Sequence, residues 1–180
     1  MSREGIAGCP GPATTVSLCT MHTTPTLLTE LDALPARWVV HGTVAAPVEA
    51  VAALLLAVAE GRVGDDNLLL LARASTARRG AMTVVAGAGK DVCRATCAGA
   101  VEPVEIQVDR VGARVAVRSW YAGVHTATAG PAGTRVTHRV HRVHPEHPGF
   151  TAGIAEIGLR ARMTRDLRQV LAVIADRLGC

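Results

Sequence analysis

The chemistry open to this 180-residue chain is concentrated in "THRVHRVHPEHP", residues 137 to 148, where His138, His141, His144 and His147 recur at every third position. An imidazole can ligate a metal, move a proton near neutral pH, or hold a hydrogen bond in a core. Metal binding demands convergence, because structural zinc takes four ligands in a tetrahedron and catalytic zinc takes three. The first part of the stretch reads as strand, and side chains alternate along a strand. His138 therefore shares a face with Val136 and Val140, and His141 shares the other with Thr137 and Arg139. Neighbouring members of the set cannot meet on one ion, and the prolines of "HPEHP" put His144 and His147 in a loop. The spacing predicts no metal site, but one interior histidine, one exterior histidine and two loop histidines.

An interior His138 is either a hydrogen-bonded core residue or a general acid/base, since free imidazole titrates near neutrality. Tyr121 and Arg142 are its polar companions at the interior or mouth of a sheet. No motif assigns catalytic residues.

Three other signals carry less. "AGAGKDVC" lacks the distant first glycine of a phosphate loop and has Asp91 where Ser or Thr would bind magnesium, so it reads as a hairpin turn. The cysteines (Cys9, Cys19, Cys93, Cys97, Cys180) are odd in number and not densely spaced, which suits a reducing compartment. Cys93 and Cys97 on one strand stand about 13 Å apart, too far to bridge. The outward faces of two late strands carry Arg114, Arg118, Arg135 and Arg139, a basic patch that would suit an anionic macromolecule. Glu105 and Asp109 dilute it, and no aromatics interleave for base stacking, so nucleic acid is not the expected partner.

With 49% apolar residues the chain can bury one core, and it is read as a single domain over 25–180. "VEAVAALLLAVAEG" and "NLLLLARAS" are broken by Glu49, Glu60 and Arg73 well short of the roughly 20 residues a bilayer crossing needs. Residues 1–24 are rich in Gly, Pro, Thr and Ser with no apolar period. They are expected to be disordered, leave Met21 as an alternative start, and make a poor secretory signal, so the protein is placed in the cytoplasm. The formal net charge of +4 comes from arginine, with Lys90 the single lysine.

The elements that must position these residues follow from pattern. "RWVVHGTVAAP" is a β-branched run stopped by Pro47, and "PVEAVAALLLAVAEG" is a helix with proline in its first turn. "GDDNLLLLARASTARRG" offers a second helix with an Asp cap. From "AMTVVA" onward, six β-type runs are separated by turn residues, ending in "GVHTATA", "GPAG" and "TRVTHRVHRV". From Thr151 to Gly179, Ile154, Ile157, Ala161, Leu167, Leu171, Ile174 and Leu178 mark a long amphipathic helix. The prediction is an α+β fold with a seven-stranded antiparallel sheet curved around a C-terminal helix, and two shorter helices after the first strand.

This order resembles the helix-grip fold of the SRPBCC, or START-like, superfamily and its polyketide cyclase/dehydrase-like branch. The resemblance rests on "VVHGTVAAPVEAVAALLLA", "GTRVTHRV" and the terminal helix, and spans roughly residues 37–179. It implies a cavity between sheet and helix that holds a hydrophobic small molecule, a lipid or polyketide-like compound. It leaves room for cyclase or dehydratase chemistry, as a lyase or isomerase, and calls for no cofactor.

The residues give their own reason for a cavity. The inward strand positions are taken as Val104, Ile106, Val108, Val115, Val117, Val124, Thr126, Thr128, Val136 and Val140, with Cys93, Ala95 and Cys97 beside them. All are small. Trp38, Trp120, Tyr121 and Phe150 alone could fill a large space. A dry void of a few hundred Å³ would cost on the order of 5 to 10 kcal/mol, about a domain's whole stability. The space therefore closes into a small core, holds water or holds a ligand. The expected lining is His138, Tyr121, Val117, Val136, Val140, Phe150, Ile157 and Arg142.

Overall fold

The structure, a computed structural model, describes residues 26–73, 82–89, 91–97, 103–119, 121–142 and 158–180. The expected disordered segment, 1–24, lies outside them. Helix α1 (Leu27–Asp32) precedes strand β1 (Trp38–Val44), followed by α2 (Val48–Leu55), β2 (Gly61–Arg62) and α3 (Leu68–Arg73). Then come β3 (Met82–Ala86), β4 (Val92–Cys97), β5 (Val104–Asp109), β6 (Arg114–Arg118), β7 (Tyr121–Gly130), β8 (Gly133–Arg142) and the terminal helix α4 (Leu159–Leu178). The strands form one curved antiparallel sheet of eight, in the order β1-β8-β7-β6-β5-β4-β3-β2. The strand beyond the expected seven is β2, two residues long, paired with β3. It is too short to leave an alternating pattern in the sequence.

The β7–β8 hairpin fixes the register of the sheet beside its β1 edge. Its turn is Pro131-Ala132, closed by Gly130 opposite Gly133. Gly133 has φ +112°, and a Cβ there would lie 2.2 Å from the Val44 carbonyl oxygen, so conformation and space both demand glycine. Thr134 Oγ1 donates to the Ala46 carbonyl at 2.7 Å, which ties the hairpin to the end of β1. Counting back from this turn puts His138 opposite His125, and Val140 opposite Gly123.

The register corrects one inward set. Directly paired residues share a face. On β7 the inner positions are Tyr121, Gly123, His125 and Ala127, because these pair with Arg142, Val140, His138 and Val136. Val124, Thr126 and Thr128 point the other way. Val104, Ile106, Val108, Val115, Val117, Val136 and Val140 are inward as expected, as are Cys93, Ala95 and Cys97.

Helix α4 covers the inner face with Met163, Leu167, Val170, Leu171 and Ile174, and packs against β1, α2 and α3. Its stripe differs from the expected one: Ala161 is exposed, and Ile154 and Ile157 lie outside the described residues. Met163 and Val170, at helical spacing from Leu167 and Ile174, hold the buried positions instead. A Cβ on Gly42 would lie 2.4 Å from Leu171 Cδ1, so the missing side chain admits α4 close to β1. Gly179, with φ +70°, ends the helix in the left-handed conformation that glycine adopts cheaply. Among the described residues no helix is long and apolar enough to cross a membrane.

Helix α1 was not foreseen. Leu27, Leu28 and Leu31 pack on the outer face against Ala116, Ala122 and Val124. Small residues there give the helix its seat, which is why Val124 is buried although it faces away from α4. Thr26 caps the first turn by accepting from Thr29 N–H at 3.3 Å, and Gln107 Oε1 on β5 accepts from Leu28 N–H at 2.9 Å.

Candidate functional site

One row of side chains crosses the inner face through the middle of the sheet: Val40 on β1, His138 on β8, His125 on β7, Val115 on β6 and Val108 on β5. The two imidazoles stack with ring centroids 3.8 Å apart and planes 17° from parallel. They are nearly sealed from solvent, His125 at 3% exposure and His138 at 5%. His138 is thus interior, as its alternation with Val136 and Val140 predicts. The reading missed His125. The signal was present in the "GPAG" turn, since a two-residue connection between Gly130 and Gly133 makes His125 the cross-strand partner of an inward His138.

A second cluster lies toward one end of the same face. Trp38 and Tyr121 approach with ring centroids 6.2 Å apart at a tilt of 49°, and the Arg37 guanidinium carbon stands 5.5 Å from the Trp38 ring. On β7 only Gly123 separates Tyr121 from His125 along this face. The face thus runs from an aromatic end, past a position without a side chain, to the histidine pair. Val117, Val136 and Val140 line the same face and are buried. Arg142 stands opposite Tyr121 at the end of β8. Phe150 and Ile157 fall outside the described residues, as do His144 and His147. Among the described residues no three His, Cys, Asp or Glu side chains gather to hold a metal ion.

His141 does lie on the outer face, opposite Ala122, but it is not exposed: its accessibility is 4%. The expectation of a solvated histidine fails because the outer face is covered here. Among the described residues no group hydrogen-bonds its buried Nδ1.

Cys93 sits on the inner face opposite Ile106 and is a free thiol. Burial pushes the Cys93 thiol up, helped by the negative charge of Glu60 and Asp91 and opposed by Arg110. It stays protonated at neutral pH and is a poor nucleophile.

Two of the four outer arginines are committed to ion pairs. Arg114 donates to both carboxylate oxygens of Asp32 on α1, at 2.9 Å each. Arg118 donates to Glu105 across the sheet and, at 2.7 Å, to Glu30 on α1. Desolvation works against the Arg118 charge, but the hydrogen bond and charge of Glu105, then those of Glu30, outweigh it and hold the guanidinium above its ordinary range. Arg135 and Arg139 are exposed.

An open groove of about 570 Å³ lies at the β7–β8 turn, bordered by Ala46, Pro47, Val48, Ala129 and Gly133. None of the expected lining residues borders it, and Glu49 is its single ionisable group. It is a surface feature of the hairpin, separate from the inner face.

No protein-family model matches the sequence, and no curated protein matches it significantly. Solved structures do. The solution structure of the KanY protein superposes with a TM-score of 0.52 at 18% identity, over 82% of this chain and 99% of that one. The crystal structure of the Zhui aromatase/cyclase from Streptomyces sp. R1128 superposes with a TM-score of 0.51 at 18% identity, over 78% of this chain and 94% of that one. With its curved antiparallel sheet, short helices after the first strand and long C-terminal helix, the chain shares the helix-grip fold of these two structures.

Proposed function

We propose that the protein binds an apolar small molecule between the inner face of the sheet and α4, and that polyketide-like compounds are the class it takes. The observation that carries this reading is the stacked pair His125 and His138 in an otherwise aliphatic wall. Burying two polar rings costs stability that valines at the same positions would not. The pair presents two imidazoles that a ligand oxygen would meet. The aromatic end at Trp38 and Tyr121 offers a flat apolar surface to the rest of such a molecule, and Val117, Val136 and Val140 form the wall between. The shared fold of an aromatase/cyclase supports the same class. Cyclase or dehydratase chemistry at this site would fall to the histidine pair, the groups on the described inner face with the range for proton transfer near neutral pH.

The alternative, an arginine-rich outer face that meets a macromolecule, has less to stand on. Arg114 and Arg118 are held by carboxylates of α1 and β5, and the leucines of α1 occupy part of that face. Mass spectrometry of the protein purified under native conditions separates the two readings. A co-purifying apolar small molecule is expected. Co-purifying nucleic acid or protein with no small molecule would favour the outer face.

A further inference from the structure

We propose that the solvent face of α4 is a docking surface for an anionic lipid bilayer, met through Arg162, Arg165 and Arg168. It stands independently of what the inner face holds. At about 100° per residue the three arginines fall on an arc of about 120°, and Arg165, in the middle, stands opposite the buried stripe of Met163, Leu167, Val170, Leu171 and Ile174. They span about 9 Å along the helix axis. All three are exposed, as is Arg160 in the first turn. Among the described residues no ion pair and no side-chain hydrogen bond holds any of these four guanidinium groups, in contrast to Arg114 and Arg118.

Folding does not ask for these charges. The N-terminal end of a helix carries partial positive charge, so arginines in its first turns stand against the macrodipole. No acid occupies the first turn of α4, and its cap, Gly158, has no side chain to accept from the free N–H groups. Arg177, in the last turn, is placed where a cation helps the helix. From Leu159 to Ala175 the single acid is Asp166, half-buried between the arginine ridge and the apolar stripe. Four arginines against one aspartate leave this segment a net charge of +3, gathered on one exposed ridge.

The form of the ridge selects among anionic partners. Its other positions are Ala161, Gln169 and Ala172, with Val173 at its margin, 36% exposed. A protein interface is anchored by large side chains seated in pockets, and nucleic acid bound without sequence preference is gripped by aromatics on which bases stack. This convex ridge supplies neither. A bilayer with anionic headgroups asks only for positive charge close to its plane, and arginine forks suit headgroup phosphates.

Sedimentation of the full chain with vesicles tests the proposal. The protein should partition onto vesicles of phosphatidylcholine and phosphatidylglycerol mixed two to one, and not onto phosphatidylcholine alone. Salt at about 1 M, where the screening length falls to about 3 Å, should release it. Arg162→Gln, Arg165→Gln and Arg168→Gln combined should lower the partition coefficient roughly a hundredfold, at about fivefold per arginine, with a melting midpoint unchanged or raised. Arg135→Gln with Arg139→Gln should change it by less than about twofold, because the outer face of β8 points away from a bilayer on α4 and its charges are screened. Equal partition onto the two kinds of vesicle would overturn the proposal. So would binding that survives the triple substitution, or that is lost to the same extent in the β8 variant. Tighter binding to duplex DNA at matched phosphate concentration would also overturn it, in favour of nucleic acid.

Discussion

At the scale of single residues, the two faces of the sheet separate two histidines that the sequence spaces alike and the fold buries alike. His138 stacks on His125 inside the sheet, whereas His141 lies under the outer covering with no hydrogen bond to Nδ1 among the described residues. Leaving a buried polar atom unmet costs about 1 to 3 kcal/mol, and an apolar group of similar size removes that cost. His141→Leu should therefore leave the urea midpoint unchanged or raise it. A loss of more than about 1 kcal/mol would show a hydrogen bond that matters at this position. Cys93 offers a second residue-scale check. With its thiol pushed up by burial, the folded state keeps this proton to higher pH than the unfolded chain does. The linked stability is present below the unfolded thiol's titration and is lost as pH rises through the folded one. Alkylation by iodoacetamide at mildly alkaline pH should label exposed Cys180 well before Cys93, and raising the pH further should narrow the gap. Equal rates for both thiols at the lower pH would contradict the burial assigned to Cys93.

Among the elements, α1 is the one whose role the energetics define most clearly. It touches the sheet through ion pairs and through leucines, and magnitudes decide between them. Partly exposed pairs such as Arg114–Asp32 contribute about 0 to 1 kcal/mol, while burying a leucine side chain contributes about 1.5 to 3 kcal/mol. Leu31, 1% exposed, should carry the helix. Leu31→Asp is expected to cost at least about 2 kcal/mol in chemical denaturation and Asp32→Asn less than about 1 kcal/mol. A chain beginning at Met21 retains the Thr26 cap and the whole helix, so it should melt like the full chain, and a chain beginning at Arg37 should melt lower. Equal effects from the two substitutions would mean that charge, not packing, seats the helix. This element also marks where reading from sequence stops. The β-branched runs, the GPAG turn, the Ala-Pro step into α2 and the leucines of the last helix each announce themselves through local periodicity or turn chemistry. Six residues of "LLTELD" bounded by prolines and threonines carry too little period to distinguish a helix from a loop, and what stabilises them lies about 80 residues away in Gln107, Ala116 and Ala122. His125 was hidden for a related reason. Alternation gives the two faces of β7 but not which one is inward, and only the cross-strand register assigns them.

For the whole molecule, the central question is whether the space between sheet and α4 is a closed core or a binding cavity. The inner face is built from valines, alanines, glycine and two histidines, with its large rings gathered at one end. That composition fits a sheet curved around a ligand, and it also fits a helix pressed tightly onto small side chains, as α4 is at Gly42. The most direct measurement is the denaturation midpoint of Val117→Trp together with its titration by N-phenyl-1-naphthylamine. Val117 is 1% exposed and sits on the inner face between Ile106 and Gly123. A cavity would accept the indole with a stability change below about 1 kcal/mol, and the variant would no longer bind the probe that the unmodified protein binds. A close-packed core would be forced apart at a cost of about 1 to 3 kcal/mol or more, with no probe binding in either protein, and that result would contradict the account.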